Sequence, residues 1–216
     1  MSIKKERLLE PWVKIWLGIA ISCNSIFLIS HYVAITSWGT DTLLWFSLLF
    51  VFPLLIALFA SPICFLCLIF EKTRMHSLRI SLIVIFWLVT GVVFIRLGGE
   101  VRMSGFERLA SRSVPLVTAI GTYEKEKGHF PIQLSDLVPD YLDKVPKTGM
   151  RVYPEYKYYV GEDAKRFYGN PWVLIIFAPS GAINFDIFMY FPLQNYPPAK
   201  YGGTLERVGA WAYVHE

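Results

Sequence analysis

The chain has 216 residues, 54% of them apolar, with a mean hydropathy of +0.43 and a formal charge of +4. The charge is unevenly placed: residues 1–97 carry eight bases and four acids, and residues 98–216 carry 13 of each. A neutral C-terminal half has no concentrated basic face to displace counterions, which argues against nucleic acid as a partner. The pI of about 8.9 is therefore a topology signal.

Residues 1–14 carry Lys4, Lys5, Arg7 and Lys14. Residues 15–35 follow as 21 positions without a charge, long enough as a helix to cross a roughly 30 Å hydrocarbon core. The run is long for a cleaved signal and no A-x-A pattern follows it, so a retained helix is expected. Residues 43–70 form a second uncharged run, 28 long, with Pro53 and Pro62 inside. Residues 78–97 form a third span, uncharged only over its central 80–95, with Arg79 and Arg96 snorkelling from its ends. Bases crowd the N-terminus and the second loop (Lys72, Arg74), whereas the first loop has only Asp41. The positive-inside rule then predicts a cytoplasmic N-terminus and, after three spans, an extracytoplasmic C-terminal half. The division expected is a three-span transmembrane region over 1–97 and an α+β domain over 98–216.

Asn24 and His31 are seven residues apart and share a face of the first span. They suit either interhelical hydrogen bonds or a polar path. Gly18, Ser22 and Ser25 fall on another face at small-residue packing spacing. Cys23, Cys64 and Cys67 all lie in apolar runs. The Cys64–Cys67 spacing has neither histidine nor carboxylate beside it, so these read as small buried apolar residues.

Past the third span, Phe106, Leu109, Val117, Ile120 and Tyr123 recur at helical spacing. Pro115 leaves two readings open: one kinked helix, or a new helix capped by Ser113. Gly128 stops the helix and Pro131 forbids resumption. A short helix capped by Ser135 is expected over 135–142. Strands are expected over 155–160, 172–177, 183–191 and 208–214, with polar or Pro/Gly-rich loops at 161–170 and 194–204. In the third of these, Asn184, Asp186, Phe188 and Tyr190 share one face, and Ile183, Phe185, Ile187, Met189 and Phe191 the other. The fold class is membrane α-helical with three transmembrane helices, plus a small α+β domain with an amphipathic helix on an antiparallel sheet.

One stretch carries a resemblance. A hydrophobic helix continues as an amphipathic one into Tyr123-x4-Gly128-His129-Phe130-Pro131. Leu134, Leu137 and Val145-Pro146-Lys147-Thr148 follow, then a tyrosine-rich strand and a meander. Residues 80–192 so resemble the globular part of type IV pilins and type II secretion pseudopilins. The resemblance implies a pilin-like module and a bacterial inner membrane location with a periplasmic domain. The anchor is atypical: it has three spans and no prepilin peptidase site, since residues 75–85 hold no glycine and no glutamate opens the third span.

No metal or cofactor motif is present: His129 and His215 are the only histidines after residue 98, without HExxH or CxxC spacing. Partners expected are the lipid bilayer and membrane or envelope proteins. Tyr196, Lys200, Tyr201 and Trp211 form the candidate partner surface, with Asn24 and His31 as polar positions within the membrane. The function read from these features is a non-catalytic, multi-pass protein presenting a pilin-like domain to other proteins. Two alternatives stand beside it. One is an envelope enzyme using Asp186 and Glu206 as acid and base. The other is an accessory transporter subunit using Asn24 and His31.

Overall fold

The computed structural model describes residues 8–40, 42–45, 47–180, 184–197 and 203–215. The chain forms two compact units. The first comprises Met1–Tyr32 and Thr42–Glu100, the second Val33–Asp41 and Val101–Glu216.

The first unit is helical. Its elements are α1 (Pro11–Ala34), α2 (Thr42–Trp45), α3 (Ser47–Cys67) and the start of α4 (Arg74–Lys127). Contacts along the helices fix their directions. Glu10 Oε1 pairs with Arg79 at 3.4 Å, Asn24 Nδ2 donates to Thr90 at 2.8 Å, and Phe27 and His31 flank Gly98. Numbers rise together, so α1 and α4 run parallel. Against α3 the order reverses: Phe50 and Leu54 meet Gly91, whereas Ala57 clusters with Ala20, Val84 and Trp87. α3 is therefore antiparallel to both. Close approach is made at Gly91 and Gly98, where an added Cβ would lie 2.6 Å from Leu54 Cδ1 and 3.0 Å from Phe27 Cε1. The expected small-residue face at Gly18 packs on nothing within 4 Å, and the Ser22 hydroxyl turns back to the Gly18 carbonyl. Ile15, Ile29, Ile56, Phe59, Val89 and Val92 are all more than half exposed, so the outer surface is apolar.

α1 and α4 are long and apolar enough to cross a membrane. The second uncharged run is divided between α2 and α3, and α3 ends at Cys67. Of the two readings at Pro115, the structure takes the single helix. α4 runs unbroken for 54 residues, and Ser113 bonds the Ala110 carbonyl instead of capping a new helix. Val114 and Pro115 are exposed, so water can satisfy the carbonyl that the proline cannot.

In the second unit α4 ends at Gly128, whose φ of +73° suits the left-handed stop. The expected helix over 135–142 is only a 3-10 turn, Leu134–Leu137. Its start is held by Asp136, whose Oδ2 accepts from the Ile132 and Gln133 amides at 3.0 Å, and not by Ser135. Those bonds, the Gln133 amide first, hold the Asp136 carboxyl below its ordinary range. Five strands follow: β1 (Lys157–Val160), β2 (Trp172–Phe177), β3 (Ile187–Tyr190), β4 (Thr204–Val208) and β5 (Trp211–His215). A single helical turn, α5 (Glu162–Lys165), lies within the expected 161–170 loop. The sheet is wholly antiparallel in the order β1-β2-β3-β5-β4. The expected last strand is a hairpin instead: β4 and β5 turn at Gly209, with φ +59°. The charged stretch Glu206-Arg207 masked β4, which is an edge strand and tolerates them.

Both faces of the sheet are covered. Phe188, Tyr190, Trp211 and Tyr213 face α4, where Phe106 stacks on Phe188 at 4.6 Å. Val173, Ile175, Met189, Ala212 and Val214 pack on the opposite side against Phe191, Tyr196, Tyr159 and Phe167. The Val33–Asp41 segment joins this unit at Gly105. A Cβ there would lie 2.6 Å from Ile35 Cγ2 and 3.0 Å from Met150 Cε. Gly105→Val should cost about 1–3 kcal/mol through overpacking. Gly121→Ala, at a helical site with nothing within 4 Å, should gain roughly 0.5–1 kcal/mol. Thermal unfolding of the full chain in detergent, followed by near-UV circular dichroism, reads both.

Candidate functional site

The densest polar chemistry is buried in the second unit, around Arg102. Arg102 precedes Phe106 and Leu109 by four and seven positions, so it shares the apolar face of α4. The helix therefore carries its guanidinium under the sheet, where it is 2% exposed. Nε donates to the Tyr213 hydroxyl at 2.8 Å and Nη1 to the Tyr153 hydroxyl at 3.0 Å. Nη2 donates to the Ala178 carbonyl and lies 3.8 Å from Asp186 Oδ2. Each phenol donates onward in turn: Tyr213 to Asp186 Oδ2 at 2.6 Å, and Tyr153 to the Pro179 carbonyl at 2.6 Å. Asn184 Nδ2 also donates to Asp186 Oδ2, at 3.2 Å. The guanidinium lies 5.0 Å from the Phe106 ring centre and 5.4 Å from those of Tyr153 and Tyr213.

Burial alone pulls the Arg102 guanidinium down, but the Tyr153 and Tyr213 oxygens outweigh it and leave it above its ordinary value. Burial also holds the Tyr213 phenol well up, opposed by the Arg102 charge and aided by its bond to Asp186. The cation stays charged and the phenol stays a donor. Every member bonds a neighbour, and Asp186 is 1% exposed. Chemically the arrangement is a clamp: it ties α4, Tyr153, the Ala178 and Pro179 carbonyls, Asp186 and β5 at one point.

Asp186 is thus sealed from substrate. Glu206, the other carboxylate proposed for acid–base work, is exposed on β4 and pairs with His215 at 3.7 Å. The two have separate partners, and the structure gives no shared acid–base site. Among the described residues no group of three or more His, Cys, Asp or Glu could hold a metal ion.

The candidate partner surface fares unevenly. Tyr196 and Trp211 are core residues, 8% and 3% exposed, so neither presents a face to a partner. The Tyr196 hydroxyl accepts from the Phe191 amide at 2.7 Å and donates to the Ala210 carbonyl at 2.8 Å, while its ring stacks on Phe191. Lys200 and Tyr201 lie outside the described residues. Beside Tyr196 a shallow depression of about 500 Å³ is lined by Tyr168, Gln194, Asn195 and Pro197. Its amides are already engaged: Asn195 with Tyr168 and Asn170, Gln194 with Phe191 and Arg207.

In the first unit Asn24 is fully buried with its amide on Thr90, and His31 is 6% exposed with its ring edge-on to Phe27 at 4.5 Å. Both face neighbouring helices, as interhelical polar contacts do. Sequence reasoning passed over Arg102: the spacing puts it on the apolar stripe of α4, but its burial depends on phenols far away in the chain. Compared with family models, with curated proteins and with solved structures, the chain matches none.

Proposed function

We propose that the chain is a three-span protein of a bacterial inner membrane. Its C-terminal unit is a pilin-like extracytoplasmic module that engages envelope proteins and does no chemistry of its own. The observation that carries this reading is the direction of the helices. α1 and α4 are parallel, α3 is antiparallel between them in sequence, and all three expose apolar side chains outward. Helices in that order cross up, down and up. The basic ends then fall together: Glu10 and Trp12 meet Arg79 and His76, beside Lys72 and Arg74. Loop charge places that end in the cytoplasm and the residues after α4 on the far side.

The pilin likeness is supported by the second half of α4 lying against an antiparallel sheet, with Gly128-His129-Phe130-Pro131 at its end. A binding role is favoured over catalysis because the buried charged network around Arg102 is internally satisfied.

The test is cysteine labelling in intact cells on a chain freed of Cys23, Cys64 and Cys67. A cysteine at Glu155 should react with an impermeant maleimide, whereas one at Thr73 should react only after permeabilisation. The opposite pattern would sink the topology. Crosslinking and co-purification of the intact chain should then recover secretion or pilus components. Recovery of the chain with itself alone would refute the partner reading.

A further inference from the structure

A concavity in the C-terminal unit lies between the 147–154 loop and Ser37. It has a volume of about 330 Å³ and is lined by Ser37, Lys147, Thr148, Gly149, Met150, Arg151 and Pro154. No carboxylate lines it. Lys147 and Arg151 are exposed, and neither they nor Arg112 has an ion-pair partner among the described residues. Arg112 stands against the wall: its Nη1 donates to the Thr148 carbonyl at 3.2 Å, and a Cβ on Gly149 would collide with its guanidinium. Only glycine permits that contact, since Gly149 also has a φ of +79°.

The loop is built to hold its shape. Thr148 is fully buried; its hydroxyl donates to the Tyr153 carbonyl at 2.7 Å and accepts from the Met150 amide at 3.2 Å. The Arg151 amide donates to the Thr36 carbonyl at 3.0 Å, which fixes the Val33–Asp41 segment as the opposite wall. Two lining cations without ion-pair partners, Lys147 and Arg151, on a preformed loop that Arg112 braces from behind, and the Ser37 hydroxyl on the opposite wall are the donor set for a phosphate group. Arginine offers a bidentate fork and lysine a point charge.

Chain connectivity says where this pocket stands. Ala34 ends α1, Ser37 follows three residues later, and Trp38 beside it is 60% exposed. Three residues reach at most about 11 Å. The headgroup layer on each side of a bilayer is about 5–8 Å thick. A tryptophan at such a helix end is the usual interfacial residue. We propose that this pocket binds the phosphate of an anionic glycerophospholipid in the leaflet where α1 ends. The proposal rests on α1 being a membrane span, as argued above. Free phosphate has the same chemistry and is the competing source.

The test uses the full chain in neutral detergent, with bound lipid read by native mass spectrometry. Probes are phosphatidylglycerol, phosphatidylcholine and inorganic phosphate. Phosphatidylglycerol should be retained over phosphatidylcholine. Each cation removed should weaken it about fivefold, so Lys147→Ser with Arg151→Ser should weaken it about 25-fold. Lys157→Ser, at an exposed lysine of β1, should change nothing, and near-UV circular dichroism of the double variant should match the parent. Equal retention of the two lipids, or retention indifferent to the double variant, would overturn the site. Displacement of phosphatidylglycerol by millimolar inorganic phosphate would overturn the lipid assignment in favour of the free ion. Failure of the span reading is separable: the chain would then leave membranes in alkaline carbonate, whatever its lipid binding in detergent.

Discussion

Arg102→Met is expected to lower the stability of the C-terminal unit by about 3–5 kcal/mol, the cost of removing one partner from a buried charge pair. The methionine stem can fill much of the space, so the loss reports the guanidinium. Its departure strips Tyr213 and Tyr153 of their donors and leaves Asp186 buried without its countercharge, still bonded by Tyr213 and Asn184. Pairing the change with Asp186→Leu should recover at least about 1 kcal/mol, because a buried carboxylate that has lost its cation costs more than an apolar pair. Chemical denaturation in detergent, read through near-UV circular dichroism, measures both. A loss below about 1 kcal/mol for Arg102→Met would show that the network is not the clamp. The same reasoning changes what an Asp186→Asn phenotype would mean: it would report folding before chemistry, so it does not separate an enzyme from a scaffold.

That network shows where a sequence is silent. Helical spacing placed Phe106, Leu109 and Ile120 in the core, and all three are fully buried. Arg102 lies on the same stripe, but a lone arginine on an amphipathic helix reads as solvated. Its burial depends on phenols 51 and 111 residues away, which no local pattern joins. Tyr196 failed in the opposite sense. It sits in a Pro/Gly/Tyr-rich stretch that reads as exposed, yet the second face of a five-stranded sheet needs a cover, and loop aromatics supply it. The strand over 172–177 was legible because a run apolar on both faces is what an interior strand requires. β4 was not, because edge strands carry charge. In the first unit the apolar runs were plain, whereas their relative directions emerge only from pairings such as Asn24 with Thr90.

The C-terminal unit should also lose stability as pH rises above about 10, and its buried tyrosines set the window. Burial pushes the Tyr156 phenol up to about 12, despite the Arg112 charge drawing it down. Burial holds Tyr158, Tyr196 and Tyr213 higher still. Each phenol ionises later in the folded chain than in the unfolded chain, where the ordinary value is 10.0. The unfolded chain therefore releases protons first. The stability these groups contribute is complete below about pH 10 and is lost as pH climbs through 12 and beyond. A tenfold difference in ionisation is about 1.4 kcal/mol, so Tyr156 alone accounts for on the order of 2–3 kcal/mol across that window. Tyr141 is also pushed up to about 12, by its hydrogen bond to Glu126, but it is solvated and adds little. Tyr156 is the informative position, since its hydroxyl is buried with no hydrogen-bond partner among the described residues. Tyr156→Phe should be neutral or slightly stabilising at pH 7, because it removes an unsatisfied polar atom. It should also flatten the fall between pH 10 and 12. Absorbance of phenolate near 295 nm, followed with unfolding midpoints from pH 8 to 12, reads both effects. Destabilisation by Tyr156→Phe at pH 7 would mean that the hydroxyl has found a partner, and an unchanged alkaline slope would assign the loss to the other buried phenols.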